Sequence, residues 1–187
     1  MNAEVAANPQ VEIFWHTVPF GHRDSYALEI LAQILSTQTG RFYKGLVLGS
    51  GVATDVGAEQ NSMKWAGFFD ASGEAATGHM PDEIEKALYA EIEKLQRDEV
   101  PAAELQKVKN NFAAAQYRKL NSDMSILHSL IWNEGEGDWR EINNFNAKIQ
   151  AVTAADVKRV AGEYLTKENR AVATFTRKPE TTKPSEK

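Results

Sequence analysis

The stretch GRFYKGLVLGSGVATDV, residues 40–56, sets an arginine, two aromatics and several glycines ahead of an alternating apolar run. That composition suits a phosphate cradle or a catalytic loop. A nucleotide-binding loop, however, follows a strand and opens a helix. Here Gly49, Ser50 and Gly51 follow a predicted helix and open a predicted strand, the reverse order. The histidines His16, His22, His79 and His128 could hold zinc only if two of them shared a helix face at a spacing of three or four, and no pair does. His16 and His22 flank a Pro-Phe-Gly turn with no third ligand in view. His79 stands four residues before Glu83 but precedes Pro81, outside the helix predicted there. His128 lies on a helix beside apolar positions and reads as semi-buried. NEGEGD, residues 133–138, lacks the alternating ligands and closing glutamate of a calcium loop. The serines have no nucleophile elbow or base partner. The charged run DEIEKALYAEIEKLQRDE is a solvated helix face laced with i, i+4 pairs. The residues therefore nominate no catalytic side chain and no metal ligand.

The chain totals agree with a domain that lacks its own site. A length of 187 residues fits one domain with a sizeable core. A net charge of −5 argues against a nucleic-acid partner, which would demand clustered Lys and Arg. The absence of cysteine excludes disulfides, thiolate zinc sites and cysteine nucleophiles. No apolar run is long enough to span a bilayer. MNAEVAANPQ is not a signal peptide; residues 1–10 read as a leader or the edge of an excised piece. Residues 177–187, polar and Pro-containing, read as a tail or linker, which leaves residues 11–176 as a single domain.

The elements that would position any site follow from periodicity. VEIFWHTVP alternates Val11, Ile13, Trp15 and Thr17 on one face, the pattern of a covered strand. Asp24 is expected to cap a helix with Ala27, Leu28, Leu31, Ile34 and Leu35 on its stripe. Residues 41–48 form a second short helix stopped by Gly49. Strands are expected over residues 51–58 and 63–71, joined by a turn at EQNS, residues 59–62. Pro81 opens an acidic-tipped helix with Ile84, Leu88, Ile92 and Leu95 inward. Pro101 opens another with Leu105, Val108, Phe112 and Ala115. Ser122 or Asp123 caps a third carrying Ile126, Leu127, Leu130 and Ile131. NEGEGD is a turn, after which a helix carries Trp139, Ile142, Phe145 and Ile149. Thr153 and Asp156 form a capping box for the last helix, and a strand covers residues 170–176. The order is α+β: an antiparallel or mixed sheet with helices packed on one face.

Taken together, four segments resemble the C-terminal, non-zinc domain of the M16 metallopeptidases, the insulinase, pitrilysin and processing-peptidase group. HRDSYALEILAQILS is similar to the helix after that domain's first strand, and TGRFYKGLV to its small-residue–Arg–aromatic helix. DEVPAAELQKVKNNFAAAQ is similar to the segment where an acidic turn precedes EL and Lys. IQAVTAADVKRVAGEYL is similar to the closing helix. Their order and spacing cover about residues 11–176.

The resemblance implies a specific division of labour. In that family two α+β domains form a half-shell, and two half-shells enclose a chamber where a peptide is cut. The first domain holds zinc through an inverted His-x-x-Glu-His motif, which this sequence lacks. In many members the segment equivalent to residues 40–56 carries an Arg and, seven positions later, a Tyr that reach the substrate from the opposite half-shell. Alignment puts Val47 and Thr54 at those positions, chamber-facing but unable to polarise a carbonyl or serve an oxyanion. Arg41 is left a structural role in capping or pairing. The resemblance thus implies a non-catalytic second domain of a zinc endopeptidase, forming chamber wall and supporting the substrate and the upstream zinc domain. Its partners would be that domain, an opposing half-shell and a peptide. No cofactor is expected in this domain, and zinc is expected upstream. Bacterial members suggest a periplasmic or envelope-associated setting, with any export signal upstream. The alternatives are a catalytically silent scaffold subunit of the same fold and an independent peptide-binding module that adds a peptide strand to a sheet edge.

Overall fold

The computed structural model describes residues 2–3 and 8–177. In chain order its elements are β1 (Asn2–Ala3), β2 (Gln10–Thr17), α1 (Arg23–Ser36), a π-helical turn (Tyr43–Gly49), β3 (Ala53–Ser62), β4 (Gly67–Ala75), α2 (Pro81–Arg97), α3 (Ala102–Leu120), α4 (Asp123–Glu136), α5 (Glu141–Ala151), α6 (Ala154–Tyr164) and β5 (Arg170–Arg177). The sheet order is β1-β5-β2-β4-β3. Each pair of neighbouring long strands is antiparallel, and β1 adds a short parallel margin to β5. Of the segment read as a leader, Asn2 and Ala3 form β1 and Gln10 begins β2. Of the segment read as a tail, residues 178–187 lie outside the described residues.

One face of the sheet is dry. Val11, Ile13 and Trp15 of β2 and Phe69 and Ala71 of β4 are buried there, as their alternation requires. α1, α2 and α6 cover them. Ile84, Leu88, Ile92 and Leu95 recur at helical spacing along α2 and are all buried; each such side chain contributes roughly 1.5–3 kcal/mol by leaving water. The Trp15 indole N–H is not orphaned: it donates to the Thr166 carbonyl at 3.1 Å. The opposite face carries Glu12, Phe14, His16, Phe68 and Asp70, and no helix packs on it among the described residues. This is the α+β layout with helices on one face.

Several local expectations need correction. The α1 N-cap is His22, whose Nδ1 accepts from the Asp24 N–H at 3.2 Å. Asp24 sits inside the first turn and is committed to Arg159. The hairpin turn lies at residues 63–66, beyond EQNS, because the Met63 N–H donates to the Ala66 carbonyl. Gly67 must then enter the strand, since a Cβ there would come within 2.3 Å of the Val18 carbonyl oxygen. Alternation through Met63 and Trp65 suggested a strand, yet Trp65 is 85% exposed at the hairpin tip. Residues 133–136 complete α4 instead of forming a turn, and the Gly137 N–H closes it on the Asn133 carbonyl at 2.9 Å. Trp139 precedes α5. His128 is exposed, not semi-buried, because no residue of α4 is buried. The Pro81 start of α2, the Ser122 cap of α4 and the Thr153–Asp156 capping box of α6 all form as read.

Candidate functional site

Residues 37–52 connect α1 to β3. Arg41 reaches across to α3 and donates through Nε and Nη2 to both carboxylate oxygens of Glu104, at 3.1 and 2.7 Å. That two-point geometry ties the connection to α3 and gives Arg41 the pairing role expected of it. The chain then winds as a π-helix, and the Ser50 N–H closes a bond to the Gly45 carbonyl five residues back at 2.9 Å. Gly45 permits close approach of α2: a Cβ there would lie 3.2 Å from Glu91 Oε1. Val47, inside this turn, is partly buried against the core. Thr54 sits at the bulge where β3 slips register between Ala53 and Asp55. Its side chain is exposed, and its hydroxyl donates to Glu74 Oε1 at 3.1 Å. An alkyl group packed on the core and a hydroxyl already engaged by a carboxylate offer no donor for a reacting carbonyl.

The larger concavity lies elsewhere. A groove of about 950 Å³ opens between α1, the outer edge of β3, α3, α4 and α5. Its apolar lining includes Phe112 and Phe145, which meet edge to face at 5.9 Å, while Tyr26 meets Phe145 at the same separation. Ile131 and Trp132 of α4 rise as its far wall and are 63% and 68% exposed. The near wall is residues 59–62 of β3 with Met63 just beyond it, an edge strand with no neighbour on that side among the described residues.

Charge in and around the groove falls into two kinds. Glu141 is fully engaged: it accepts from the Tyr26 hydroxyl at 2.7 Å and from Lys148 Nζ at 2.6 Å. Lys148 also donates to the Tyr26 oxygen at 2.8 Å, which closes a triangle between α1 and α5. Glu29 is the opposite case. It is partly buried in the groove wall, and its side chain makes no hydrogen bond or ion pair among the described residues. Burial, reinforced by the charge of Glu59, pushes its carboxyl up to about 7 against the pull of Lys119. Asp70, opposite Glu59 across the β3–β4 ladder, is pushed up to about 6 by burial and by Glu59 and Glu12. Behind the groove, Asp24 accepts from Arg159 at 2.5 and 3.2 Å and from the Tyr164 hydroxyl at 2.9 Å. The Arg159 bond is the main reason its carboxyl stays below the usual range.

Among the described residues no group of three or more His, Asp or Glu side chains is arranged to hold a metal ion. His22 is spent on its cap, and His79 meets Glu83 at 2.8 Å on the surface. The described residues do not fit a zinc centre. The sequence reading missed the groove and Glu29. The available signal was a lone carboxylate inside the otherwise apolar run YALEIL of α1.

A sequence profile of the peptidase M16 inactive domain matches residues 1–112. The chain belongs to the M16 inactive-domain family. Solved structures carry the same fold. An inactive peptidase domain of a candidate zinc protease from Bordetella parapertussis superposes with a TM-score of 0.84 at 24% identity, covering 95% of this chain and 96% of that one. A protease from Helicobacter pylori gives 0.89 at 19% identity, covering 94% of this chain but 42% of that one. A chain of complex III2 from Candida albicans gives 0.77 at 14% identity, covering 94% and 44%. No curated protein matches. This M16 domain therefore spans less than half of the Helicobacter protease it resembles, and at these identities the likeness establishes the fold.

Proposed function

We propose that the chain is the plain second domain of an M16 zinc endopeptidase, building part of the wall of a peptide-enclosing chamber. In this reading the zinc and its catalytic base belong to an upstream domain, and an opposing half-shell completes the enclosure. The open sheet face looks inward. Val47 and Thr54 lie near the interior as passive surface, and an export signal upstream directs the whole to the periplasm or envelope. The observation that carries the reading is the length relation. The same fold accounts for 42% of a protease chain and for 96% of a structure that is an inactive peptidase domain.

The test compares this chain with its natural parent chain. With one equivalent of zinc, this chain alone is expected to leave unstructured peptides intact, whereas the parent cuts them and loses activity to a chelator. Peptide cleavage and stoichiometric zinc uptake by the isolated chain would overturn the reading. A catalytically silent scaffold is the second reading, favoured by the likeness to a chain of complex III2. An inactive parent with a degraded upstream zinc motif would select it.

A further inference from the structure

Tryptophan is distributed unevenly over this molecule. Trp15 lies in the core at 1% exposure, whereas Trp65, Trp132 and Trp139 are 85%, 68% and 42% exposed. The three outer residues come from the β3–β4 hairpin tip, from α4 and from the segment before α5, yet they gather around Phe20. The Phe20 N–H donates to the Met63 carbonyl at 2.9 Å, close in sequence to Trp65. A Cβ on Gly137, close in sequence to Trp139, would meet the Phe20 ring at 3.1 Å. Trp132 and Phe20 line the same groove. Met63 on the tip and Met124, Leu127 and Ile131 on α4 add exposed aliphatic surface at this end. The Trp15 indole N–H donates to Thr166, while the outer three indoles make no hydrogen bond among the described residues. An indole so placed suits the headgroup layer of a bilayer, where its ring meets apolar chains and its N–H meets polar groups. Two of the rings also carry a cation. Lys64 Nζ stands 5.4 Å from the Trp65 ring centroid, and the Arg140 guanidinium 5.1 Å from that of Trp139. Such a cation can reach a lipid phosphate while the ring sits deeper.

We propose that this end of the domain docks on the surface of a zwitterionic phospholipid bilayer, with Trp65, Trp132 and Trp139 seated in the headgroup layer. Charge selects that class of lipid. The chain carries a net −5, which an anionic membrane would repel. At this end the charges balance: Lys64, Arg118, Lys119 and Arg140 stand against Asp123, Glu134, Glu136 and Asp138. The three rings rest on separate supports and share no strand edge, and a fluid layer accommodates them without matching their spacing. Among the described residues no helix is long and apolar enough to cross a membrane, so the attachment is interfacial. The far end of the β3–β4 ladder, where Ala53 pairs with Ala75, then points away from the lipid together with Leu48, Thr54 and Met80. The inference does not depend on the peptidase reading, since a catalytically silent parent would present the same surface.

The experiment floats this chain and its natural parent chain with phosphatidylcholine vesicles, plain or brominated on the acyl chains, and reads indole fluorescence. Both chains are expected to float, with blue-shifted emission that the bromine quenches. Variants that keep Trp15 and one outer tryptophan, the other two changed to Phe, assign the quenching ring by ring. A variant that keeps Trp15 alone should be unquenched, because that indole stays in the core. Trp65→Ala should weaken the partition about tenfold, the scale of one large apolar side chain returned to water. Leu48→Ser and Met80→Ser, which alter exposed apolar residues at the other end, should leave it unchanged. Salt at about 0.5 M should leave binding intact, since screening at that strength removes only charge attraction. Failure of a chain with native circular dichroism to float would overturn the proposal. So would unquenched outer tryptophans, binding abolished by salt, or losses from Leu48→Ser and Met80→Ser equal to that from Trp65→Ala. A parent that stays in solution while the shorter chain floats would show that protein covers this end, and would overturn it. A dimer of this chain held through Trp65 that excludes vesicles would do the same, and sedimentation of the free chain would detect it.

Discussion

The body formed by the sheet with α1, α2 and α6 and the flank formed by the outer half of α3, α4 and the start of α5 come from one sequence but handle apolar surface in opposite ways. In the body, Ile13, Leu31, Leu88 and Val160 are fully excluded from water. In the flank, Tyr117, Leu120, Met124, Leu127, Ile131 and Trp132 are at least half or nearly half exposed, and no residue of α4 is fully buried. Monomeric proteins rarely leave such a contiguous patch without a use for it. The contrast separates apolar surface that keeps the domain folded from apolar surface left open to solvent.

Mutations can break or sharpen that contrast. Leu88→Ala in the body should lower stability by about 2–5 kcal/mol through the cavity it leaves, read by denaturant unfolding. Asp24→Asn should cost about 2–4 kcal/mol at pH 7, since it strands Arg159 beside a neutral group. The Asp24 carboxyl is held below its ordinary 3.8. Its contribution is therefore complete above that value and lost as pH falls through the lower folded-state value, so the variant should converge on the native chain once the folded-state carboxyl is protonated. Glu29→Gln should act with the opposite sign. The folded carboxyl titrates at about 7 against an ordinary 4.5, so the native chain loses stability as pH rises across that window. The variant does not, and should be more stable by up to about 3 kcal/mol at pH 8 and equal near pH 4. Leu127→Ala in the flank should change stability by no more than about 0.5 kcal/mol. A loss like that of Leu88→Ala would erase the distinction between the two regions.

The same contrast governs what could be read in advance. Elements whose stripe is buried were legible because burial and periodicity coincide: α2 shows its four inward residues and β2 its alternation in the bare sequence. The two-domain-family resemblance rested on such segments too. The hairpin register slipped by four residues because Met63 and Trp65 mimic strand alternation while standing on an exposed tip. The stripe of α4 was legible as a stripe, but its exposure was not, since periodicity reports that a helix has an apolar face and not what covers it. The groove was hidden for a related reason: Glu29, Ser62, Phe112, Trp132 and Phe145 come from five elements and meet only through tertiary packing. The assignment of Val47 and Thr54 to the family's Arg and Tyr positions came from the resemblance alone; in the structure Val47 is partly buried against the core and the Thr54 hydroxyl donates to Glu74.

The placement of β5 has a kinetic consequence. This last strand of the described chain lies between β1 and β2, so Gln10 must find Phe175 and Trp15 must find Arg170. Pairings so distant in sequence carry a large loop-closure cost and slow the search for the native arrangement. During synthesis β2 would wait, paired only with β4, until residues 170–177 had left the ribosome. Truncation within residues 170–177 should therefore yield a species arrested with an unzipped β2 margin, prone to self-association.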